Sequence, residues 1–181
     1  MTILREITRQ NHTEVENLPL IQKLLHGELT QQQYTSYLYE LYFIYGSIER
    51  FAEFAGVMDG LTDIYRFHRI KSDLDELHPG YKHQLCISTV EYVKYLAELS
   101  SSDPRSLFAH VYVRHMGDLY GGKIISRIVP GSGNCYQFED RPLLIKEFNA
   151  KLYEDLGNEA NVAFEYFKSI FTELGIKILT E

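Results

Sequence analysis

Apolar residues return at intervals of three and four along nearly all of this chain, and no sustained apolar–polar alternation interrupts them. A stripe of that period is buried by a helix and not by a strand. The fold is therefore expected to be all-α, with about eight helices and no strand. The broadest stripe, Tyr34, Tyr37, Leu38, Leu41, Tyr42, Tyr45, Ile48, Phe51 and Ala55, is wide enough for one helix to face both a core and a ligand.

The breaks in the pattern set the expected boundaries. Helix one runs from about Thr2 to Asn17 and stops before Pro19; a short second helix, Leu20 to Leu25, ends at His26-Gly27. Thr30 caps a long third helix. After Gly56 to Gly60, Thr62 or Asp63 opens a fourth that reaches Leu74, ahead of the turn His78-Pro79-Gly80. Helix five covers Ser88 to Leu99. Asp103-Pro104 supplies an N-cap and a first-turn proline for helix six, which extends to about Val129. Pro130 to Asn134 is a loop, and the last two helices, Arg141 to Leu156 and Glu159 to Leu174, are separated by Gly157-Asn158.

With 181 residues the chain fits one domain, 1–181, that can bury a core without cross-links. Its two cysteines, Cys86 and Cys135, stand in no zinc or redox spacing, and the start has no signal-peptide pattern, so a reducing cytoplasm is the expected compartment. No apolar run is long enough to span a bilayer. A net charge of -7 argues against nucleic acid as partner. Fourteen Tyr and ten Phe with no Trp make the apolar surface unusually aromatic, which suits a flat ligand as well as ordinary helix packing.

Two constellations carry chemistry. His12 and Glu16 lie four apart on one helical face, so the carboxylate can hold Nδ1 and leave Nε2 free for a metal. Alone, the pair is equally an exposed ion pair worth a few tenths of a kcal/mol. In the second constellation, Gly117, Gly121 and Gly122 fall inside helix six, where each costs about 1 kcal/mol relative to Ala. Gly117 and Gly121 share a face, where missing side chains allow a bend or the close approach of a planar ligand; a tight helix crossing is the other explanation. Against that crossing stand Asp118 and Arg114, a polar pair that is costly to bury.

Together these segments resemble the heme oxygenase family. The likeness begins at His12-Thr13-Glu14-Val15-Glu16-Asn17 and continues through Leu41-Tyr42-Phe43-Ile44-Tyr45 with Ile48-Glu49-Arg50. It is most specific from Ala109-His110 to Gly122, which is similar to the family's Gly-Asp-Leu-Ser-Gly-Gly motif. The resemblance implies heme sandwiched between a proximal helix and a glycine-kinked distal helix. It makes His12 the proximal iron ligand and Glu16 its orienting partner. Gly117 and Gly121 become the distal contacts, and Asp118 the holder of a distal water network supported by Arg114 and Tyr45. Tyr112 and Phe164 touch the heme, with Arg5 and Lys146 near its propionates. Two positions depart from the family pattern. Tyr120 replaces a small residue and is expected to point away from the Gly117–Gly121 face, and Ala150 stands where a propionate-pairing Arg is usual, leaving Lys151 as a substitute and the attacked meso carbon open.

The implied reaction uses O2 to convert heme, at once substrate and cofactor, to biliverdin, ferrous iron and carbon monoxide, with Asp118 fixing a water that delivers a proton. No flavin or dinucleotide motif is present, so the electrons are expected from a separate protein, a ferredoxin or a reductase, with a bilin reductase downstream. A non-degrading heme carrier or sensor of the same fold is the alternative. A di-iron oxidase would need inward Glu-x-x-His pairs, and the chain has none; its one Asp-x-x-His, Asp75 to His78, meets Pro79 in a turn. Cys135 sits in a loop without the surroundings of a nucleophile. His26, His68, His78 and His83 read as turn or surface residues, and His110 and His115 as packing or hydrogen-bonding members of helix six.

Overall fold

The computed structural model describes residues 3–153 and 155–180, and among them there is no strand. Nine helices follow in order: α1 (Ile3–Ile7), α2 (Arg9–Glu16), α3 (Pro19–Leu25), α4 (Gln31–Phe54), α5 (Phe67–Leu77), α6 (Ile87–Ser102), α7 (Leu107–Ile125), α8 (Arg141–Ala150) and α9 (Leu156–Leu179). The all-α expectation holds. Short 3-10 turns occupy Thr62–Ile64, Pro104–Ser106 and Asn134–Tyr136.

The long α4 packs on α5 and α6 with one flank and on α7 with another, while α9 runs beside α7, α6, α3 and α2. Thr30 caps α4 as expected, in a reciprocal box: its hydroxyl accepts from Gln33 N at 3.2 Å and the Gln33 side chain accepts from Thr30 N at 3.0 Å. The aromatic stripe of α4 is buried at Tyr34, Tyr37 and Tyr45, and α9 answers with Phe167 and Phe171. Gly46 lets α5 cross close by, since a Cβ there would meet the Phe67 ring at 2.8 Å.

Several boundaries differ from expectation. The first helix breaks at Thr8, whose hydroxyl donates to the Leu4 carbonyl at 2.9 Å, so His12 rides on its own short helix; the expected start at Thr2 lies outside the described residues. α5 begins at Phe67; the expected start at Thr62 or Asp63 is a separate 3-10 turn. α7 begins at Leu107 after a 3-10 turn, and Asp103 accepts from the Ser106 hydroxyl instead of capping backbone. It ends at Ile125, not Val129, because the loop folds back with Gly131 and Gly133 at positive φ and Gly133 against Ser126. Gly157-Asn158 separates nothing: α9 starts at Leu156 and runs through both residues. Gly157 is needed there because Ile7 of α1 would stand 3.0 Å from a Cβ.

Two helix starts that lack a local cap receive one from a distant carboxylate. Glu49 of α4 accepts from Arg66 N at 2.6 Å and Phe67 N at 3.1 Å at the head of α5. Glu173 of α9 accepts from Ile87 N and Ser88 N, both at 2.9 Å, at the head of α6. Partial burial works against the Glu173 charge, but those N–H groups, the Ser88 hydroxyl and Lys177 hold its carboxyl down to about 2. A depressed folded value means that this stabilisation is present above the ordinary glutamate value and is lost as pH falls through the folded one. Glu173→Gln should therefore cost about 1 kcal/mol at neutral pH. Its Tm, followed by circular dichroism, should fall by about 2–4 °C. The gap from wild type should close between about pH 4.5 and 2.

Candidate active site

The short α2 and the middle of α7 face each other across a slot of about 660 Å³, lined by Arg5, Thr8, Arg9, His12, Thr13, Glu16, Tyr112, Val113, Met116, Gly117, Tyr120, Gly121 and Phe164. Its inner end continues into a smaller cavity of about 140 Å³ that reaches Arg114 and Asp118 and is also lined by His12, Val15 and Glu16 of α2 and by apolar side chains of α3, α4, α7 and α9. This is the size and makeup of a site for a mid-sized, mostly apolar ligand.

On the α2 side, His12 is half exposed, with Nδ1 3.4 Å from Glu16 Oε2. The carboxylate thus sits on the Nδ1 side of the ring, as a metal-binding Nε2 requires, in a contact looser than an ideal hydrogen bond. Phe164 of α9 meets the imidazole edge-on at 6.0 Å between ring centres. Across the slot α7 stays helical through all three glycines. A Cβ on Gly117 would meet nothing within 4 Å, and one on Gly121 only the tip of Ile125, so both would project into the slot. The gap is a cradle that two ordinary side chains would fill, and its shape fits a flat group with an imidazole on the opposite wall.

Beyond the glycines lies a buried charged triad. The Tyr45 hydroxyl donates to Asp118 Oδ2; Arg114 donates from Nε to the Tyr45 oxygen at 2.8 Å and from Nη2 to Asp118 Oδ1 at 3.3 Å. Burial pushes the Tyr45 phenol well above its usual range, so it remains a neutral donor. Burial also opposes the Arg114 charge, but the Asp118 carboxylate and the Tyr45 oxygen that accepts from Nε keep the guanidinium protonated. Asp118 is 4% exposed and lines the small cavity.

Of the residues singled out in the sequence, Arg5, His12, Glu16, Tyr112, Gly117, Gly121 and Phe164 line the slot, and Arg114 and Asp118 close its inner end. Tyr45 stands one layer behind. Lys146 is exposed on α8 and is not on the slot wall: α8 packs through Leu144 and Phe148, the latter stacked on Phe108 at 4.9 Å, and residue 146 falls on the other side. Ala150 and Lys151 end that helix and do not line the slot either. Tyr120, expected to point away, lines the slot and is 62% exposed. Arg9 was missed, although its place one turn after Arg5 and one before His12 was a visible signal.

The remaining histidines match their expected roles in part. His110 bonds the Tyr92 hydroxyl and Glu159, His115 bonds Glu49 at 2.9 Å, and both are fully buried. His26, His68 and His78 are exposed. His83, expected at the surface, is partly buried, with Nε2 2.7 Å from the buried Glu40. Cys86 and Cys135 are buried free thiols; burial raises both, Cys86 to about 12, which leaves them inert.

The family model for heme oxygenase matches residues 1–150. The chain is 29% identical to the heme oxygenase of Rhodella violacea, over 97% of this chain and 88% of that one. It is 27% identical to heme oxygenase 2 of Oryctolagus cuniculus, over 95% of this chain, and spans only 65% of that longer protein. Among solved structures, the heme oxygenase of Leptospira interrogans superposes with a TM-score of 0.86 at 27% identity, covering 94% of this chain and 97% of that one. The chain belongs to the heme oxygenase family.

Proposed function

We propose that this protein is a heme oxygenase that seats heme between α2 and α7 and, with O2 and electrons from a separate protein, opens it to biliverdin, ferrous iron and carbon monoxide. The observation that carries this reading is the opposition, across one slot, of a Glu-backed imidazole and a helix face without side chains. Bound heme supplies the redox-active iron that activates O2 and is itself the substrate.

The protein's own residues do the rest. His12 binds the iron through Nε2, with Glu16 fixing the ring from Nδ1. Arg5 and Arg9, on the outer wall of α1 and α2, pair with the heme carboxylates, a role Lys146 is badly placed to share. Phe164, Tyr112, Val113 and Met116 exclude water from the rings. Asp118, fixed by Tyr45 and Arg114, holds a water in the inner cavity and passes a proton through it towards the iron.

A carrier of the same fold needs the ligand and the apolar walls but has no use for a buried Asp–Arg–Tyr triad, which is costly to desolvate. The triad favours the enzyme. A ferredoxin or a reductase is the natural electron donor, a bilin reductase the natural consumer of the product, and the cytoplasm the compartment that keeps both buried thiols reduced.

Aerobic incubation with heme and a reducing system should bleach the heme absorption and yield a bilin spectrum; stable heme absorption would leave only the carrier. His12→Ala should lose the imidazole-ligated spectrum and turnover, both restored by added imidazole. Asp118→Ala should bind heme as the wild type does yet form biliverdin about a hundredfold more slowly, as for loss of a general acid–base group. A native rate in that variant, measured by single-turnover absorbance, would remove the proton-delivery role.

A further inference from the structure

The three glycines of α7 divide into two sets. Gly117 and Gly121 open towards the slot, whereas Gly122 faces the other way: a Cβ there would lie 3.2 Å from both the Cβ and the carbonyl oxygen of Tyr136. That missing side chain lets the 134–141 segment seat against the rear of the helix. From the same rear side Arg141 reaches in. Its Nη1 donates to the carbonyls of Asp118 at 3.0 Å and Leu119 at 2.7 Å, its Nη2 donates to the Tyr136 carbonyl, and the guanidinium lies 4.7 Å from the centre of the Phe138 ring. No carboxylate forms an ion pair with Arg141 among the described residues. Its donors are directed to main-chain oxygens, two of them interior to a helix and already partners of the helical N–H groups of Gly122 and Lys123, so the fork uses their second lone pairs.

Asp118 is thereby fixed at both ends, at the carboxylate by Tyr45 and Arg114 and at the carbonyl by Arg141. Without the second restraint, packing would be the only rear anchor of the glycine stretch among the described residues, in a segment whose helix propensity three glycines have weakened.

We propose that Arg141 is a positioning residue for the reaction: it clamps the backbone of residues 118–119 from behind and so sets how far the slot face of α7 stands from the bound ligand. This rests on the heme oxygenase reading above, and the two can fail separately.

The test compares Arg141→Met, which keeps the length and loses every donor, with Arg141→Lys, which keeps the charge and loses the fork. In the heme-free protein, amide exchange at Gly122 and Lys123 should quicken about tenfold in Arg141→Met, and less in Arg141→Lys, with α4 and α9 unchanged. With heme, affinity should stay within about twofold while biliverdin formed per O2 consumed falls about fivefold or more, since small misplacements cost reactivity before binding. Unchanged exchange at those amides, or equal quickening throughout the protein with a matching loss of heme affinity, would overturn the clamp; Arg141→Lys decides the matter if Arg141→Met does not fold. A wild type that binds no heme would refute the heme oxygenase reading, while the exchange measurements still decide the clamp.

Discussion

A slot between two helices is a space that hydrophobic burial would tend to close, and everything around this one serves to hold its walls apart at a fixed distance. Both walls are referred to α9. On one side, α2 has no fully buried residue, so packing alone does not seat it. Polar contacts to one face of α9 do so instead: Asn11 donates to Asn161 at 2.8 Å, and Lys168 donates to Asn11 at 3.1 Å and to Glu14 at 2.7 Å, with Phe164 between them under His12. On the other side α7 lies along α9 and α4, braced at its rear by the 134–141 segment. The helix that carries no slot ligand of its own beyond Phe164 thus fixes the spacing of the two that matter.

The buried polar groups belong to the same frame. Asp118, Arg114 and Tyr45 form one cluster; immediately behind them His115 bonds Glu49 and stands edge-on to Tyr45 at 5.0 Å, and Glu49 in turn caps α5. Arg66, 1% exposed, ties α5 to the rear segment through the carbonyls of Cys135 and Gln137. Desolvating so many charges is costly, and an apolar core of equal volume would be at least as stable. What such a core would lack is a fixed orientation for Tyr45 and Asp118, because each polar group here has a required direction and apolar side chains do not.

The sequence was most legible where structure is local. The period of the apolar stripe gave the all-α class, the Thr30 cap gave the start of α4, and His12 with Glu16 and the glycine stretch gave both walls of the slot. It was least legible where a distant carboxylate does the work of a cap. Glu49 starts α5, Glu173 starts α6, and Asp73 accepts from Asn134 N and Cys135 N to start the 3-10 turn of the rear segment. None of these acids adjoins the element it caps in sequence, so local capping rules pointed to Thr62 or Asp63 at one of these starts and found no signal at the others. Gly157 misled for a related reason: read as punctuation, it is a close-approach glycine set against Ile7.

At the site itself, legibility followed the same division. Pairs set by spacing along one helix, such as His12 with Glu16 or Gly117 with Gly121, were visible in the residues themselves, while their roles came from the family resemblance. Tyr45, Phe164 and Lys146 came from family resemblance; the first two meet the site, and Lys146 does not, because its face of α8 is fixed by Phe148 packing on Phe108. Tyr120 shows why helical angle alone was insufficient. Its position departs from the Gly117 direction by one flank, yet a ring this long still reaches the slot from that flank and lines it. A helix face that two glycines leave bare is therefore bordered by whatever its flanks carry, and in this chain one flank is aromatic.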